Sequence, residues 1–398
     1  MREKTNNLIL STTNTAKDIT QEDWDRLFGA NCLDSRNYHI TLEESKMPEF
    51  NLGYLLAKEN DQLKVIIPFF TMDFSFTTII QGWPQKIIFK IQKILKRFLK
   101  IRLLFIGFPT TEELCIGIDP SQDCHALLEQ ALKEFRKIAK ELEINNILFY
   151  NVTRKQTFLS DFLYKRDFIA MENFPNARLN IKSNSLEDYI QGLSRNTRKD
   201  IKKKLRKSAE HAELKMEVVD ELNGIGSEIY KLYMNNFNDS NVHFETLTPD
   251  FFQSISRNMP GKVKFIITRY KNKIVAFNLC IINSDTCIDK VIGFDAELSH
   301  KLHLYHTTFC YNLEWCIKNG FRNYQLGIID YHPKIRLGAE LVPLHIYFRS
   351  NSPLINFLAR KLIKFIEPRN FDPTLKVLSR KPTQNKACVV ASECRSAV

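Results

Sequence analysis

The two halves of the chain carry the same order of secondary-structure signals: a helix, a hairpin, a strand, a long helix and a further strand. In the first half, a helix with Thr20 as its N-cap precedes two β-rich runs, 51–57 and 63–69, that flank a polar turn. In the second half, the runs 262–270 and 273–282 flank a two-residue turn in the same way. The repeated order predicts an α/β protein built from two related domains.

The domain boundaries follow from where these signals begin and end. A chain of 398 residues is long enough for two domains of ordinary size. We expect an N-terminal domain at 1–175 and a C-terminal domain at 176–367. The polar, proline-containing tail at 368–398 is expected to be poorly ordered.

Charge and hydrophobicity narrow the classes of protein that fit. The 57 Lys and Arg outnumber the 45 Asp and Glu, giving a net charge of +12 that favours phosphates, nucleic acid or an acidic membrane as partners. No apolar run of about 18 residues predicts a membrane-spanning helix, and the N-terminus lacks the apolar block of a secretory signal. The nine cysteines form no C-x-x-C motif, so we expect free thiols in a cytoplasmic protein.

The most basic stretch of the sequence spans residues 194–207. Ile201 and Leu205 are its only apolar residues and lie one helical turn apart, so such a helix contacts the protein along a narrow seam. The cations are then either a solvated face or an anion-binding surface, in which Arg195 and Arg198 bind phosphate or carboxylate. Nucleic acid is the less favoured partner, because no interleaved aromatic residues or known nucleic-acid motifs accompany the run.

Several common catalytic signatures are absent from the sequence. There is no glycine-rich dinucleotide loop, no Walker phosphate loop and no Gly-x-Ser-x-Gly motif. His300, His303 and His306 would spread over about 120° of a helix surface, which is too wide for one metal site, so we expect no metal. Cys310 and Cys316 lie among core residues and are expected to be buried thiols rather than nucleophiles.

Two stretches, 86–102 and 354–364, combine apolar residues with Lys and Arg at helical spacing. Such helices either lie on an anionic bilayer or pack their apolar face on a core and expose a basic face to water. The core-facing interpretation is preferred at this point, and peripheral contact with an anionic membrane stays open as the alternative.

The last part of the chain has a more specific order of elements. A strand ending at Asp295 leads through a loop to a long helix at 302–319, which is stopped by Gly320, and then to a strand, a short helix and a final strand. This order resembles the second half of the GNAT acyltransferase fold, and in particular its double-domain, FemAB-like branch of peptidoglycan-related and biotin-cluster-associated acyltransferases. The resemblance covers about residues 20–367 and is carried by the basic stretch at 194–207, the strand 324–327, Lys334 and Leu337-Gly338-Ala339.

The resemblance implies two tandem GNAT-like domains, each a mixed, mostly antiparallel sheet flanked by helices. It also implies an N-acyltransferase that moves an acyl group from acyl-CoA, or a similar thioester, to an amine of a small or cell-envelope-related substrate. By position, the phosphorylated donor would bind at the start of the long helix, at His300, Lys301 and Leu302. The other site residues that the resemblance implies are Asp295 as base, with Asp330 as its rival, Tyr331 as proton donor to the leaving thiolate, and Arg195, Arg198, Lys334 and Arg336 as substrate-binding cations.

The sequence departs from the GNAT pattern in the donor loop. Residues 296–302 contain no glycine, although glycines normally let the backbone approach a pyrophosphate closely. Two alternatives therefore stay open. One is an aminoacyl-tRNA-dependent transferase, although no long heptad stretch predicts the coiled-coil arm that such enzymes often insert. The other is a non-catalytic basic protein bound to anionic membrane or nucleic acid.

Overall fold

The computed structural model describes residues 8–29, 34–75, 100–239, 245–370 and 372–380. Its framework is two β-sheets. The strands of the first sheet are β1 (Ile9–Thr13), β2 (Asn51–Glu59), β3 (Gln62–Ser75), β4 (Lys100–Ile106), β5 (Gly117–Ile118), β6 (Asn146–Thr153), β7 (Ile169–Glu172) and β15 (Leu344–Ser350). Their order is β1-β2-β3-β4-β6-β15-β7, with β5 paired to β3.

The second sheet comes from the second half of the chain. Its strands are β8 (Asn176–Asn180), β9 (Leu214–Val219), β10 (Val263–Tyr270), β11 (Lys273–Asn283), β12 (Thr286–Phe294), β13 (Asn323–Gln325) and β14 (Glu340–Val342). They lie in the order β14-β8-β13-β12-β11-β10-β9. Among the described strands, β4–β6 and β12–β13 are the parallel pairs and the other neighbours are antiparallel.

Helices cover both sheets. They are α1 (Gln21–Phe28), α2 (Arg36–Glu44), α3 (Cys124–Glu141), α4 (Thr157–Tyr164), α5 (Leu186–Gly192), α6 (Arg195–Ala209), α7 (Gly226–Asp239), α8 (Pro249–Asn258), α9 (Ala296–Lys301), α10 (Leu304–Lys318), α11 (Tyr331–Arg336), α12 (Pro353–Ile366) and α13 (Pro373–Arg380), with short 3₁₀ turns at Ala16–Asp18 and Pro368–Asn370. The prediction of two mixed, mostly antiparallel sheets flanked by helices is confirmed.

Local sequence explains several of these elements. Both hairpins close through two consecutive residues with positive φ, Asn60-Asp61 in β2–β3 and Lys271-Asn272 in β10–β11, as in the type I′ turn that matches strand twist. The Thr20 hydroxyl accepts a hydrogen bond from the Asp23 amide and caps α1 as predicted. Gly320, with φ of 76°, follows the end of α10 as predicted.

The last strand corrects the predicted domain boundaries. Residues 344–350 fall in the range assigned to the C-terminal domain, but β15 lies in the first sheet, between β6 and β7. The chain therefore returns to its first unit after completing the second sheet. A single hydrophobic cluster also includes Phe70 and Phe105 of the first unit and Phe252 and Phe277 of the second. The two units thus share one core.

The predicted tail at 368–398 also needs correction in part. Pro373–Arg380 forms the helix α13, whose Leu375 is buried against Tyr331 and Ala339. Residues 381–398 lie outside the described residues, and so does most of the amphipathic stretch predicted at 86–102.

Candidate functional site

The centre of the second sheet opens where its two parallel strands separate. β12 and β13 pair only from Thr286 to Ile288 and from Asn323 to Gln325. Beyond this point β13 follows β8 instead, because the Leu326 amide donates to the Ala177 carbonyl at 2.8 Å. The residues of β12 after Ile288 are left without a strand partner on this side within the described sheet. We call this gap the strand opening.

A β-bulge lies at the start of the strand opening. The pairing of β11 with β12 jumps from Val291 to Asp289, so Lys290 is the extra residue. Bulges of this kind redirect side chains and are common beside active sites. The Asp289 carboxylate accepts hydrogen bonds from Asn278 at 2.8 Å and from the Tyr324 hydroxyl at 2.7 Å. Burial raises the pKa of Asp289 to about 6, against the lowering effect of these two bonds.

Lys290 ties the strand opening to the first unit. Its Nζ lies 2.7 Å from the carboxylate of Glu112, and both side chains are mostly buried. The same lysine donates to the Thr110 carbonyl oxygen. Glu112 also accepts a hydrogen bond from Gln325 Nε2 at 2.7 Å. One carboxylate of the first unit thus holds β12 and β13 at the point where they separate.

Lys334 approaches the strand opening from α11. Its buried Nζ donates to the carbonyl oxygen of Ile328 at 2.9 Å, and that of Gly327 lies 3.4 Å away. Among the described residues it forms no ion pair, although the charges of Asp330 and Asp289 act on it. Burial lowers its pKa to about 8. A buried ammonium held only by carbonyl oxygens is suited to stabilise a developing negative charge.

A pocket of about 290 Å³ lies on the other side of α11. We call it the cationic pocket. Arg336 and Lys204 contact Asp200 in it, at 3.3 and 2.9 Å. The Lys204 Nζ is also 3.1 Å from His306 Nε2, and burial together with this lysine lowers the pKa of His306 to about 4. The imidazole is therefore neutral near pH 7 and accepts a hydrogen bond from Lys204. The pocket is lined by Thr197, Asp200, Ile201, Lys204, His306, His332, Pro333, Arg336 and Leu337.

Of the four cations predicted to bind substrate, two lie at the strand opening or in the cationic pocket. The predicted Arg336 lines the cationic pocket and the predicted Lys334 lies at the strand opening. By contrast, Arg195 is exposed at the start of α6, and Arg198 donates to the Gln191 carbonyl at 2.7 Å. Neither arginine lines the pocket. The basic helix contributes Asp200 and Lys204 instead.

Asp295 and Tyr331, the predicted base and proton donor, both form hydrogen bonds with the surrounding backbone. The Asp295 carboxylate caps α9 by accepting from the Glu297 and Leu298 amides, and it lies 2.7 Å from Lys273 Nζ. Burial raises its pKa, but the bond from Lys273 and the backbone amides lower it more, which makes Asp295 a weak base. Tyr331 is fully buried, and its hydroxyl donates to the Pro175 carbonyl at 2.8 Å. Burial also raises the pKa of this phenol.

The predicted donor-binding residues do not stand at the start of the long helix. His303 adopts the left-handed region with φ of 51° and separates α9 from α10, so the long helix begins at Leu304 rather than at Leu302. His300 and Lys301 are exposed at the carboxyl end of α9. Leu302 is fully buried beside Val275 and Leu304. These contacts place His300 and Lys301 at a helix end that repels anions, and Leu302 in the core.

Sequence reasoning missed Asp289, Lys290 and Glu112. The sequence offered a sign of the first two, since Asp289-Lys290 is a charged pair in the middle of an otherwise uncharged β12. Glu112 carried no comparable signal, because it lies in a loop of the other unit. Within the described ranges, no three His, Cys, Asp or Glu side chains come close enough to hold a metal ion.

Two solved structures share this architecture. The structure of FemX aligns with a TM-score of 0.55 and 10% identity over 87% of this chain and 99% of that chain. A tandem GNAT protein from the clavulanic acid biosynthesis pathway aligns with a TM-score of 0.52 and 9% identity, over the same shares of the two chains. At these identities, the two structures show that the fold of tandem GNAT domains is shared.

A curated relative matches at the level of sequence. It is the putative 8-amino-7-oxononanoate synthase 2 of Mycobacterium tuberculosis, which is 25% identical over 262 residues, or 64% of this chain. The match covers only 34% of that protein, so the chain spans about a third of its length. Residues 15–353, most of the chain, match a family described as peptidoglycan biosynthesis/recognition. The chain therefore belongs to the FemAB-like family.

Proposed function

We propose that the protein is an N-acyltransferase that joins the acyl group of a phosphorylated carrier to an amine at the strand opening. The observation that carries this proposal is the separation of β12 from β13 beside the bulge at Lys290, with the buried ammonium of Lys334 next to it. A gap between two strands gives an extended acyl chain a place beside unpaired backbone groups. Membership of the FemAB-like family supports the same chemistry.

The reaction forms one bond and breaks another. The amine nitrogen attacks the acyl carbon, and the carbonyl oxygen takes the negative charge. The bond from carbon to the carrier's sulfur or oxygen then breaks, and the carrier leaves with the bonding electron pair and takes up the proton that the amine has lost. Lys334 donates a hydrogen bond to the carbonyl oxygen, which is the oxyanion role. Asp289 accepts the proton lost by the amine, because its pKa of about 6 makes it a stronger base than Asp295.

The cationic pocket is proposed to hold the phosphates of the carrier. Asp200 holds Lys204 and Arg336 in position, and the two cations outnumber this one carboxylate, so the pocket keeps a net positive charge for an incoming phosphate. Two carriers fit this description. The first is acyl-CoA or a similar thioester. The second is an aminoacyl-tRNA, and two features favour it. The exposed cations of α6 extend the positive surface beyond the pocket. In addition, the helix α9 occupies the place of the glycine-rich loop that would bind the pyrophosphate of CoA. The exposed cations are Lys199, Lys202, Lys203, Arg206 and Lys207.

The test compares the two donors on the purified protein. Acyl-CoAs of several chain lengths and a mixture of aminoacyl-tRNAs are each incubated with amine acceptors, including a peptidoglycan precursor peptide, and the products are read by mass spectrometry. We expect acyl transfer from one donor class, and a KM for that donor raised about tenfold or more in Lys204→Gln/Arg336→Gln, since each lost charge-assisted bond to phosphate costs about 1.5–3 kcal/mol.

The matched control is Lys137→Gln, an exposed lysine of α3 that should leave the KM unchanged. Transfer from neither donor to any acceptor contradicts the proposed function. An unchanged KM in the double variant contradicts the role of the cationic pocket.

A further inference from the structure

The helix α12 presents a broad apolar face to solvent. Leu354, Phe357 and Phe365 are 66%, 58% and 70% exposed. Isolated exposed apolar residues are common on protein surfaces, but a contiguous patch of large ones marks a binding surface. Among the side chains of this helix that the structure describes, the exposed large apolar residues are Leu354, Ile355, Phe357, Leu358, Leu362 and Phe365.

These residues share one side of the helix. At about 100° per residue they fall within an arc of about 160°. The opposite side holds the helix to the first sheet, because Ile363 is buried there and Asn356 exchanges hydrogen bonds with the backbone of Ser350 at 2.7 and 2.8 Å. The core-facing interpretation of this stretch is therefore wrong, since its apolar face points outward.

Cations accompany the apolar face. α12 contains no acidic residue in its sequence, and Lys361 lies within the apolar arc with its Nζ 5.9 Å from the Phe357 ring centre. Arg360 lies about 60° beyond the Phe357 edge of the arc and is about half exposed. It donates a hydrogen bond to the Asp167 carbonyl oxygen at 3.4 Å, and the Asp167 carboxylate is 4.0 Å away. Lysine and arginine beside an apolar face are the pattern of helices that lie in the plane of an anionic bilayer.

The position of α12 in the fold adds to this pattern. α12 starts just after Ser350, which pairs with Asn146 at the start of β6. The start of β4 lies at this same end of the sheet, since Leu103 pairs with Asn146. The chain outside the described structure between Ser75 and Lys100 thus leaves and re-enters the fold here. Its sequence has no acidic residue and five cations, Lys86, Lys90, Lys93, Lys96 and Arg97.

We propose that α12 is a docking surface that binds the surface of an anionic phospholipid bilayer. The charges favour this occupant over a second copy of the chain, because a symmetric contact would bring the cations of two α12 helices together. They equally disfavour cover by the cationic stretch between Ser75 and Lys100. The described helices include none with the length and hydropathy of a membrane span. α12 has 14 residues, about 21 Å of helix, which is shorter than the hydrocarbon core of a bilayer, so the proposal places it along the bilayer surface. This proposal does not depend on the transfer reaction.

The experiment measures co-sedimentation of the full chain with two kinds of vesicle. One kind is phosphatidylcholine alone, and the other contains about one third phosphatidylglycerol. We expect binding to the anionic vesicles that weakens as salt is added, because cations near an anionic surface are screened. The variant Phe357→Ser/Phe365→Ser should lower this binding by at least about tenfold, since burial of two phenylalanines in the bilayer is lost. Arg360→Gln/Lys361→Gln should lower it about fivefold per cation.

The matched control is Phe158→Ser, which removes a half-exposed phenylalanine from α4 and should bind as the wild type does. Because the altered residues are exposed, circular dichroism should show unchanged folding in each variant. Absence of binding to anionic vesicles, or full binding by the double phenylalanine variant, overturns the proposal. A dimer in light scattering that dissociates in that variant, without vesicle binding, shows that a second copy occupies the surface instead.

Discussion

The two residues that carry the proposed reaction, Asp289 and Lys334, both have pKa values shifted by burial. Burial opposes the charge of each, raising the pKa of Asp289 to about 6 and lowering that of Lys334 to about 8. Each side chain also feels the opposite charge of the other, which limits both shifts. In the proposed reaction, a carboxylate with a pKa of about 6 accepts the proton of the amine, and an ammonium with a pKa of about 8 is still charged at pH 7 and donates a hydrogen bond to the oxyanion.

The variant Lys334→Met tests the proposed oxyanion role. We expect kcat to fall by about 10²–10³, the usual cost of removing one oxyanion donor. The folded protein should lose no stability near pH 7, because methionine is similar in size and removes a buried charge. The measurements are steady-state kinetics and the free energy of unfolding.

The pH dependence of stability separates Lys334 from a surface lysine. Its pKa is about 8 in the folded protein, against 10.5 for an ordinary lysine, so the unfolded chain binds more protons between these values. The contribution of Lys334 to stability therefore rises with pH across this interval, and the rise should be absent in Lys334→Met. Lys318→Met, on the exposed end of α10, is the control that keeps both activity and this pH dependence. Full activity in Lys334→Met would exclude the oxyanion role.

At the scale of elements, β12 depends on a glycine near its end. Gly293 lies under α7, and a Cβ at this position would come within 2.8 Å of the Leu232 carbonyl carbon and closer still to the Phe277 ring. The glycine therefore lets α7 pack directly on the strand that borders the opening. A backbone atom cannot move aside as a flexible side chain can, so a larger residue must shift the helix.

Gly293→Ala should lower the free energy of unfolding by about 1–3 kcal/mol, the usual cost of overpacking. It should also lower transfer activity, because the shift of α7 displaces β12. Gly192→Ala is the control, since a Cβ there meets nothing within 4 Å. Denaturant unfolding of the three proteins makes the comparison, and equal midpoints for Gly293→Ala and the wild type would contradict the packing argument.

Elements with strong local signals were predictable from the sequence, and features set by contacts were not. The hairpins and the N-cap at Thr20 were predicted because turn and capping residues act on their own neighbours. The break at His303 was missed, since a positive φ is uncommon for any residue other than glycine and the local sequence gives no turn signal there. The bulge at Lys290 was missed as well, because it depends on the register of β11 against β12.

At the scale of the whole molecule, a buried ion pair joins the two units. Lys290 of the second sheet pairs with Glu112 of a loop in the first unit. The two units also share one hydrophobic cluster, which includes Phe105 of the first and Phe277 of the second. Because the units share both contacts, they should unfold together.

Glu112→Gln should destabilise the protein by about 3 kcal/mol, because it leaves Lys290 buried without this carboxylate. Calorimetry should show one transition at a lower temperature rather than two. Glu134→Gln, in an exposed ion pair with Lys137, should change stability by less than about 1 kcal/mol. Two separate transitions in the wild type would show that the units are independent, contrary to the shared core.

The route of the chain between the units could not be predicted from local patterns. The sequence around 344–350 predicts a strand correctly, but it does not say which sheet the strand joins. The apolar residues of such a strand can be buried in either sheet, and only the complete fold decides between them. The local sequence therefore predicts the range 176–367 as one domain. The contacts of Lys334 and Glu112 escape prediction for the same reason, since their partners are set by the tertiary fold.

The return of β15 to the first sheet has a consequence for biosynthesis. A ribosome delivers the chain from its N-terminus, and β7 has β15 as its neighbour in the described sheet. The first sheet therefore lacks β15, and β7 lacks this partner, until Ser350 has left the ribosomal exit tunnel. By then the strands of the second sheet have been translated, so the nascent polypeptide finishes its earliest sheet last.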